Sequence, residues 1–344
     1  MPTTLPTLTE TIDNQFLQTW YEIRPVAIDN VLLATNVWAL LKLKGRFVPQ
    51  VGGRYIERTI RYGVGPTPLA VSKGDTLGQG EVETETAAFW TFRNISVHIQ
   101  RSLFDDVQNS GKFKIKDYVA QRIQEARDSL PQKFETDLER AVVSDESGKE
   151  IQGLNDVLPP YASATTGTYG KITRCSAFTV SSGVATPSTS ATNSWWGSKY
   201  KNLNTPIQLN LLSDMRTAYN VAGNNQEFPD IILTTRTIYE IYEDFAEDKT
   251  QIVRGVDTPL ANLGFDELRY KGKTLTWSAN RTENTIMMLN SKYIEVVYDP
   301  NMWFSMSEWV PVANQTERLA YIFCRMNIIS TQPRRHILLQ TNVA

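Results

Sequence analysis

Side-chain chemistry needs nucleophiles, bases or metal ligands at usable spacings, and this chain carries few. Its 344 residues include two histidines, His98 and His336, and two cysteines, Cys175 and Cys324. A zinc site needs clustered His and Cys. None of these residues has a second ligand near it in sequence, so neither a metal nor a cofactor is expected. His98 sits on the polar side of an alternating run and reads as a solvated or interface side chain. His336 follows Arg334 and Arg335 and would join a small basic patch. No Gly-x-Ser-x-Gly elbow occurs. Gly272-Lys273-Thr274 has the tail of a phosphate-binding loop, but the required upstream glycine falls on Glu267, which leaves a hairpin turn. The cysteines read as buried hydrophobes. Their distance in sequence argues against a disulfide framework and fits a reducing cytoplasm. Trp195-Trp196 reads as a packing anchor rather than a platform for bases. The chain is therefore not expected to be an enzyme; a hydrolase or transferase with a concealed site is the competing reading, and scarce histidine counts against it.

One charge pattern stands out. Glu81, Glu83 and Glu85 alternate with Val82, Thr84 and Thr86, so in a strand all three carboxylates point the same way. Like charges in a row repel unless water or cations meet them. Arg54, Arg58 and Arg61 lie in the opposing arm of the same excursion, and Arg58 and Arg61, an odd number apart, do not share a face. The row reads either as a solvated edge that discourages aggregation or as a set of contacts to basic groups on neighbouring molecules.

The elements that must position these residues follow from periodicity. Ile12, Phe16, Leu17 and Trp20 recur at helical spacing in an N-terminal arm, and an apolar stretch follows from Val31 to Leu43. Tyr55–Tyr62 alternates, and Asn94–Gln100 alternates more cleanly, with Ile95, Val97 and Ile99 on one side. Between them lies the Gly- and Pro-rich GVGPTPLAVSKGDTLGQG, with Lys73 near its tip. This predicts a long two-stranded flap. Arms of about 17–20 residues at ~3.3 Å each reach roughly 50–60 Å. A chain of this size has a radius of gyration of about 20 Å. The flap is therefore expected to gain its burial from other copies. Residues 114–143 carry a helical stripe of Ile115, Val119, Ile123, Ala126, Leu130, Phe134, Leu138 and Val142, with Pro131 inside. Ser129-Leu-Pro-Gln132 resembles a capping box, so a kink or restart is expected there.

Residues 144–204 read as loop-rich. A helix is expected from Thr205, with Thr205 as N-cap, Pro206 at the first position and Gln208 at N3. Its buried face would hold Leu211, Leu212, Met215, Ala218, Tyr219 and Ala222. Asp230–Leu233 reads as a buried strand, followed by a short helix with Ile238, Ile241, Tyr242 and Phe245. Strands and turns alternate from residue 265, ending in a long strand over 318–329. Charged residues are 21% of the chain and the net charge is −2, so bulk positive charge cannot hold nucleic acid. No stretch of 18 apolar residues exists, so no membrane contact is expected.

The serial order of these features resembles the HK97-fold major capsid proteins of tailed double-stranded DNA bacteriophages, along nearly the whole chain. The resemblance runs from arm to flap to long helix, then through GLNDVLP (153–159), GTYGKITR (167–174) and Trp195-Trp196 to PDIILTTRTIYEIYE (229–243). Its most specific part is LGFDELRYKGKTLTW (263–277) followed by MMLNSKYIEVV (287–297). The resemblance implies an α+β subunit with an N-terminal arm (1–46) and an E-loop (47–102). A peripheral domain with a spine helix (103–160), an axial domain (161–295) and peripheral return strands (296–344) would follow. Pentamers and hexamers of the subunit would tile an icosahedral head around DNA, without base-specific contact, assembled in the bacterial host cytoplasm. Arg54, Arg58, Arg61, Lys73, Glu81, Glu83 and Glu85 are the expected intersubunit residues, and Pro131 the expected hinge. Some 45 residues precede the flap, so a separate scaffolding protein is expected beside a portal, with a decoration protein as a further partner. Relatives that crosslink do so through an E-loop lysine, but no motif here marks a partner asparagine for Lys73. The alternative within the fold is an encapsulin, a shell that stores cargo enzyme.

Overall fold

A computed structural model describes residues 36–63, 65, 70–75, 82–102, 104, 107, 118–140, 149–224, 226–248, 268–281, 284–313 and 315–343. In chain order the elements begin with α1 (Asn36–Leu43), β1 (Phe47–Pro49), β2 (Tyr55–Arg61), β3 (Glu85–Thr91), β4 (Arg93–Ser102), α2 (Tyr118–Glu139) and the single turn α3 (Leu154–Val157). Then come β5 (Thr168–Tyr169), β6 (Ile172–Thr173), β7 (Phe178–Ser181), β8 (Val184–Pro187), β9 (Lys199–Asn202), α4 (Ile207–Gly223), β10 (Ile231–Thr234) and α5 (Arg236–Asp248). The chain closes with β11 (Leu268–Tyr270), β12 (Lys273–Trp277), β13 (Ile286–Leu289), β14 (Ile294–Met306), β15 (Val310–Pro311), β16 (Glu317–Ser330) and β17 (Ile337–Gln340). The expected arm helix at Ile12–Trp20, and Ile115, Val142 and Gly264-Phe265, lie outside the described residues. The described residues fall into two compact units, one of Ser96–Pro131 with Phe304–Phe323, the other of Ala34–Ile95, Gln132–Trp303 and Cys324–Ala344.

The larger unit is built on an eight-stranded sheet in the order β11-β12-β10-β13-β17-β9-β8-β7. β10 runs parallel to β12 and β17 parallel to β9; the other pairings are antiparallel. β10 and β13 are buried at every position, so both are continuous apolar runs rather than alternating ones. α4 lays Leu211, Met215, Ala218, Tyr219 and Ala222 against this sheet, and Ile238 of α5 joins the same cluster. The stripes read from the sequence therefore face this sheet, except that Leu212 is half-buried outside the cluster and Ile241, Tyr242 and Phe245 pack only partly buried against it. The capping box at Thr205 does not form. α4 starts one residue after Pro206 with no side-chain cap, and the Asp214 carboxylate instead takes the Asn204 N–H at 2.8 Å. At its other end, Lys199 Nζ donates to the Val221 carbonyl at 2.6 Å and Arg335 to that of Gly223 at 3.3 Å, cations placed at the negative end of the helix dipole.

Residues 144–204 are less loop-like than their composition implies. β7, β8 and β9 extend the large sheet here, although β9 carries the charged Lys-Tyr-Lys-Asn. Lys201 is tolerated because its ammonium meets Asp214 at 3.1 Å, with both side chains 4% exposed.

α2 is one helix through Pro131, so the expected restart does not occur. Ala126, Leu130, Phe134 and Leu138 are buried on both sides of the proline, and Ser129 turns back to donate to the Ala126 carbonyl at 2.8 Å instead of capping a new helix. Three carboxylates on its last two turns are also buried. Glu135 receives the N–H groups of Val37 and Trp38 at 2.9 and 2.8 Å, which caps α1 from another element. Burial pushes the Glu135 carboxyl up to about 7. Asp137 receives Lys133 at 2.7 Å, and Glu139 receives Ser278 Oγ at 2.5 Å with Arg281 3.8 Å away. Trp38 packs on Phe134 and Phe47, with ring centroids 4.8 and 5.0 Å apart.

β1, β14, β16 and β15 form a second sheet in that order, with β4 also on β16. Ala320, Ile322, Cys324, Met326 and Ile328 are its buried alternation, as the sequence period requires.

Candidate assembly surface

A hairpin forms, but not between the two expected runs: β2 pairs antiparallel with β3 from Tyr55↔Thr91 to Arg61↔Glu85, while the Asn94–Gln100 run lies in β4, which pairs with β16. The Tyr62 and Gly63 N–H groups then both reach the Thr84 carbonyl, at 2.9 and 3.2 Å. Alternation sorts the side chains. Ile56, Ile60, Ala88 and Trp90 face inward, while Tyr55, Glu57, Thr59, Arg61, Glu85, Ala87, Phe89 and Thr91 form the other face.

The expectation that this stretch gains its burial only from other copies is corrected here. The inward face packs on Val157, Tyr169, Trp196, Val297 and Ile329 of the same chain. Among the described residues the paired strands are seven residues long, against the expected arms of about 17–20. An amphipathic ribbon that turns Ile56, Ile60 and Trp90 inward finds burial closer to home than a neighbour. Trp90 meets Tyr169 edge-on at 5.6 Å, and the Trp196 indole N–H donates to the Tyr169 carbonyl at 2.9 Å. Trp195 stacks on Tyr62 at 5.0 Å, so the tryptophan pair is the packing anchor that its sequence implied. Gly170 closes the contact. Its carbonyl takes the Phe89 N–H at 3.0 Å, its φ is +59°, and a Cβ there would lie 2.8 Å from the Trp90 ring.

The root of the hairpin is held by charge. Arg58, on the inward face, donates through Nε and Nη2 to one oxygen of Glu295, at 3.0 and 2.9 Å. Asp299 accepts from the Gly52 N–H at 3.3 Å and from Arg325 at 3.2 Å, and Arg325 donates to the Gly53 carbonyl at 2.6 Å.

The expected contact residues therefore part company. Arg58 is engaged within its own chain. Arg61 is exposed, lies opposite Glu85 in register and donates to its neighbour Gly63 carbonyl at 3.2 Å. Glu83, Glu85 and Lys73 are exposed, and Lys73 occupies a turn in which the Ser72 N–H meets Asp75 at 2.6 Å. Arg54 is exposed with its guanidinium 5.3 Å from the centre of the Tyr55 ring. Glu81 lies outside the described residues. Sequence reading missed Lys171, whose exposed ammonium sits 4.1 Å over the same Tyr55 ring; nothing in the β5–β6 turn signals that approach.

Candidate chemistry resolves into structure. His98 is exposed on its strand. His336 is fully buried and leaves the expected basic patch. Its Nδ1 accepts the Asn290 N–H at 3.2 Å, which places the ring proton on Nε2, 2.9 Å from Ser330 Oγ. Burial holds its pKa down at about 3, so the ring is neutral. Both cysteines are buried thiols, and Cys175 Sγ donates to the Ala177 carbonyl at 3.1 Å. Among the described residues no group of His, Cys, Asp and Glu could hold a metal, and no helix is long and apolar enough to cross a membrane.

No family model matches the sequence, and no curated protein does. Solved structures do. A cyanophage A-1(L) capsid subunit superposes with a TM-score of 0.62 at 16% identity, covering 92% of this chain and 95% of its own. The capsid of Myoviridae phage XM1 gives 0.53 at 8% identity, covering 99% of this chain and all of its own. The chain has the HK97-like capsid fold. The SrpI encapsulin of Synechococcus elongatus PCC 7942 shares this fold, with a TM-score of 0.52 at 9% identity over 98% of this chain and 95% of its own. In the terms of the HK97-like fold, β2–β3 is the root of the E-loop and α2 the spine helix.

Proposed function

We propose that this chain is the major capsid protein of a tailed bacteriophage, and that pentamers and hexamers of it close an icosahedral head around double-stranded DNA. The likeness to the cyanophage capsid subunit along nearly the full length of both chains carries this reading. Each contact between copies can be weak, because many act together in a closed shell. A net charge of −2 limits repulsion between crowded copies. The exposed charges Arg54, Arg61, Lys73, Glu83 and Glu85 are the intersubunit set, with Arg58 reassigned to holding the E-loop root. Glu81 extends the acidic row by its sequence alternation.

The wider machinery follows from the same reading: a separate scaffolding protein, a portal, a decoration protein, and assembly in the host cytoplasm before the protein becomes part of the virion. DNA would be enclosed without base-specific contact. Pro131 would be the bending point of the spine helix during expansion, and Pro131→Ala should alter the geometry of precursor or mature shells. Identical particles from that variant would remove the hinge.

Electron microscopy of the purified protein, with analysis of contents, tests the whole. Icosahedral shells with packaged DNA and a portal vertex are expected. Shells holding a cargo enzyme would make the chain an encapsulin, and a chain that stays single at high concentration would end the shell reading.

A further inference from the structure

The net charge of −2 conceals a strongly cationic place at the C-terminal end of α4. Lys199 Nζ donates to the Val221 carbonyl at 2.6 Å, Arg335 to the Gly223 carbonyl at 3.3 Å, and Lys271 Nζ to the Asn220 side-chain oxygen at 3.2 Å. These acceptors span about 5 Å of helix axis. Arg334 stands beside Arg335 in the turn at Pro333–Arg335, so the basic patch expected there forms without His336. Lys292 joins from the turn at Ser291–Tyr293 and pairs with Glu227, which Arg335 also approaches. Lys271, Lys292 and Arg334 are exposed, and Lys199 and Arg335 are half-buried.

Capping the helix does not call for so much charge. A helix end carries about half a unit of negative charge, which Lys199 and Arg335 already exceed. Glu227 answers one more cation while also accepting from Tyr293. Asp230 is taken by Lys44 at 3.3 Å and by Ser291. The excess shows in Lys199, whose pKa is held down to about 8 by burial and then by Arg335 and Arg334. Like charges crowded in this way raise the local potential, and an anion relieves it.

The form of the patch points to the kind of anion. Its cations stand at the start of β9 and in three turns, none of them on a helix that could enter a groove. Such an arrangement suits phosphates rather than base edges. A duplex offers a phosphate every ~3.4 Å along each strand, so a patch as wide as a helix end meets several at once.

We propose that Lys199, Lys271, Lys292, Arg334 and Arg335, around the end of α4, are where the chain rests against the phosphate backbone of duplex DNA. The proposal takes its partner from the shell reading and names the wall of the subunit that faces the packaged DNA. The contact is independent of sequence and weakens with salt, because each phosphate neutralised releases counterions.

Salt dependence tests it on subunits kept below their assembly concentration. Five cations less Glu227 leave about four phosphate contacts, so affinity for a labelled mixed-sequence duplex should fall about a hundredfold between about 50 and 200 mM salt. Lys271→Ala with Arg334→Ala should cut that fall to about tenfold, and equally for every sequence. Arg61→Ala with Lys73→Ala removes the same charge from exposed E-loop residues and should leave the fall near a hundredfold. Fluorescence anisotropy reads the binding, and unchanged thermal unfolding shows that each variant folds. A wild-type salt response from Lys271→Ala with Arg334→Ala, or an equal loss from the E-loop pair, would overturn the proposal. So would tighter binding of a polyglutamate peptide than of the duplex at the same salt, which would give the patch to an acidic protein. Shells formed by the wild type would stand in all three cases. Duplex binding with the expected salt responses by a chain that forms no shell would uphold the contact and end the shell reading.

Discussion

The eight-stranded sheet and the E-loop root solve the burial problem differently. In the sheet, β10 and β13 are covered on both faces, by α4 and α5 on one side and by the rest of the unit on the other. In the root, one face is sealed by Trp90, Ile56 and Ile60 against the chain's own core, and the other stays in water with charge along it. The first region is finished when the chain has folded. The second is half finished, and its two faces divide the work: the inward face fixes where the ribbon points, and the outward face is left for what it meets.

That division can be broken from either side. Trp90→Ala should have the largest effect on the isolated chain, about 4 kcal/mol in denaturant unfolding, because it removes a fully buried indole from the apolar seam under the root. Phe89→Ala, one residue away on the outward face, should change the same measurement by no more than about 0.5 kcal/mol. If the two variants unfold alike, the two faces are not distinct.

Next in size is a pH effect at α1. The folded-state pKa of Glu135 is raised from 4.5 to about 7, so the folded chain binds this proton more readily than the unfolded chain does. Stability from this group is fully present below pH 4.5 and is lost as pH rises through about 7, by up to about 3 kcal/mol. Glu139 is shifted in the same direction by burial, so the useful quantity is the difference between wild type and Glu135→Gln across that window. The variant should be the more stable at pH 8 and lose most of the advantage by pH 5. An opposite slope would mean that the two backbone N–H groups at Glu135 outweigh its burial.

Gly170→Ala should cost about 2 kcal/mol, through a left-handed backbone and a Cβ pressed on the Trp90 ring. It would loosen the root without touching either strand. Smallest is Arg58→Ala, at about 1 kcal/mol, since the Arg58–Glu295 pair is about a quarter exposed on each side. Its effect should appear in unfolding of the single chain. A defect confined to assembly would return Arg58 to the intersubunit set.

Much of the architecture was legible from period alone. The alternation over Asn94–Gln100, the apolar stripe of α2 and the alternating buried positions of β16 from Ala320 to Ile328 all follow from which atoms must leave water. What sequence did not show depends on partners distant along the chain. Lys201 looks out of place in a strand until Asp214 is brought beside it. His336 looks like part of a basic patch until Asn290 and Ser330 are seen to satisfy both ring nitrogens. The E-loop root looked self-sufficient in length but orphaned in burial, because nothing local announces that Tyr169, Trp196 and Val297 lie beneath it. The acidic row was visible in sequence. The approach of Lys171 to Tyr55 was not, since it comes from a turn more than a hundred residues away.

Pro131 leaves a quieter mark on the spine helix. Lacking an N–H, it cannot donate to the Arg127 carbonyl one turn back, so that oxygen is released from the ladder in a helix otherwise unbroken from Tyr118 to Glu139. A rod bends most cheaply where a rung is already missing. Curvature at this turn would sacrifice no backbone bond, whereas the same curvature elsewhere would stretch several.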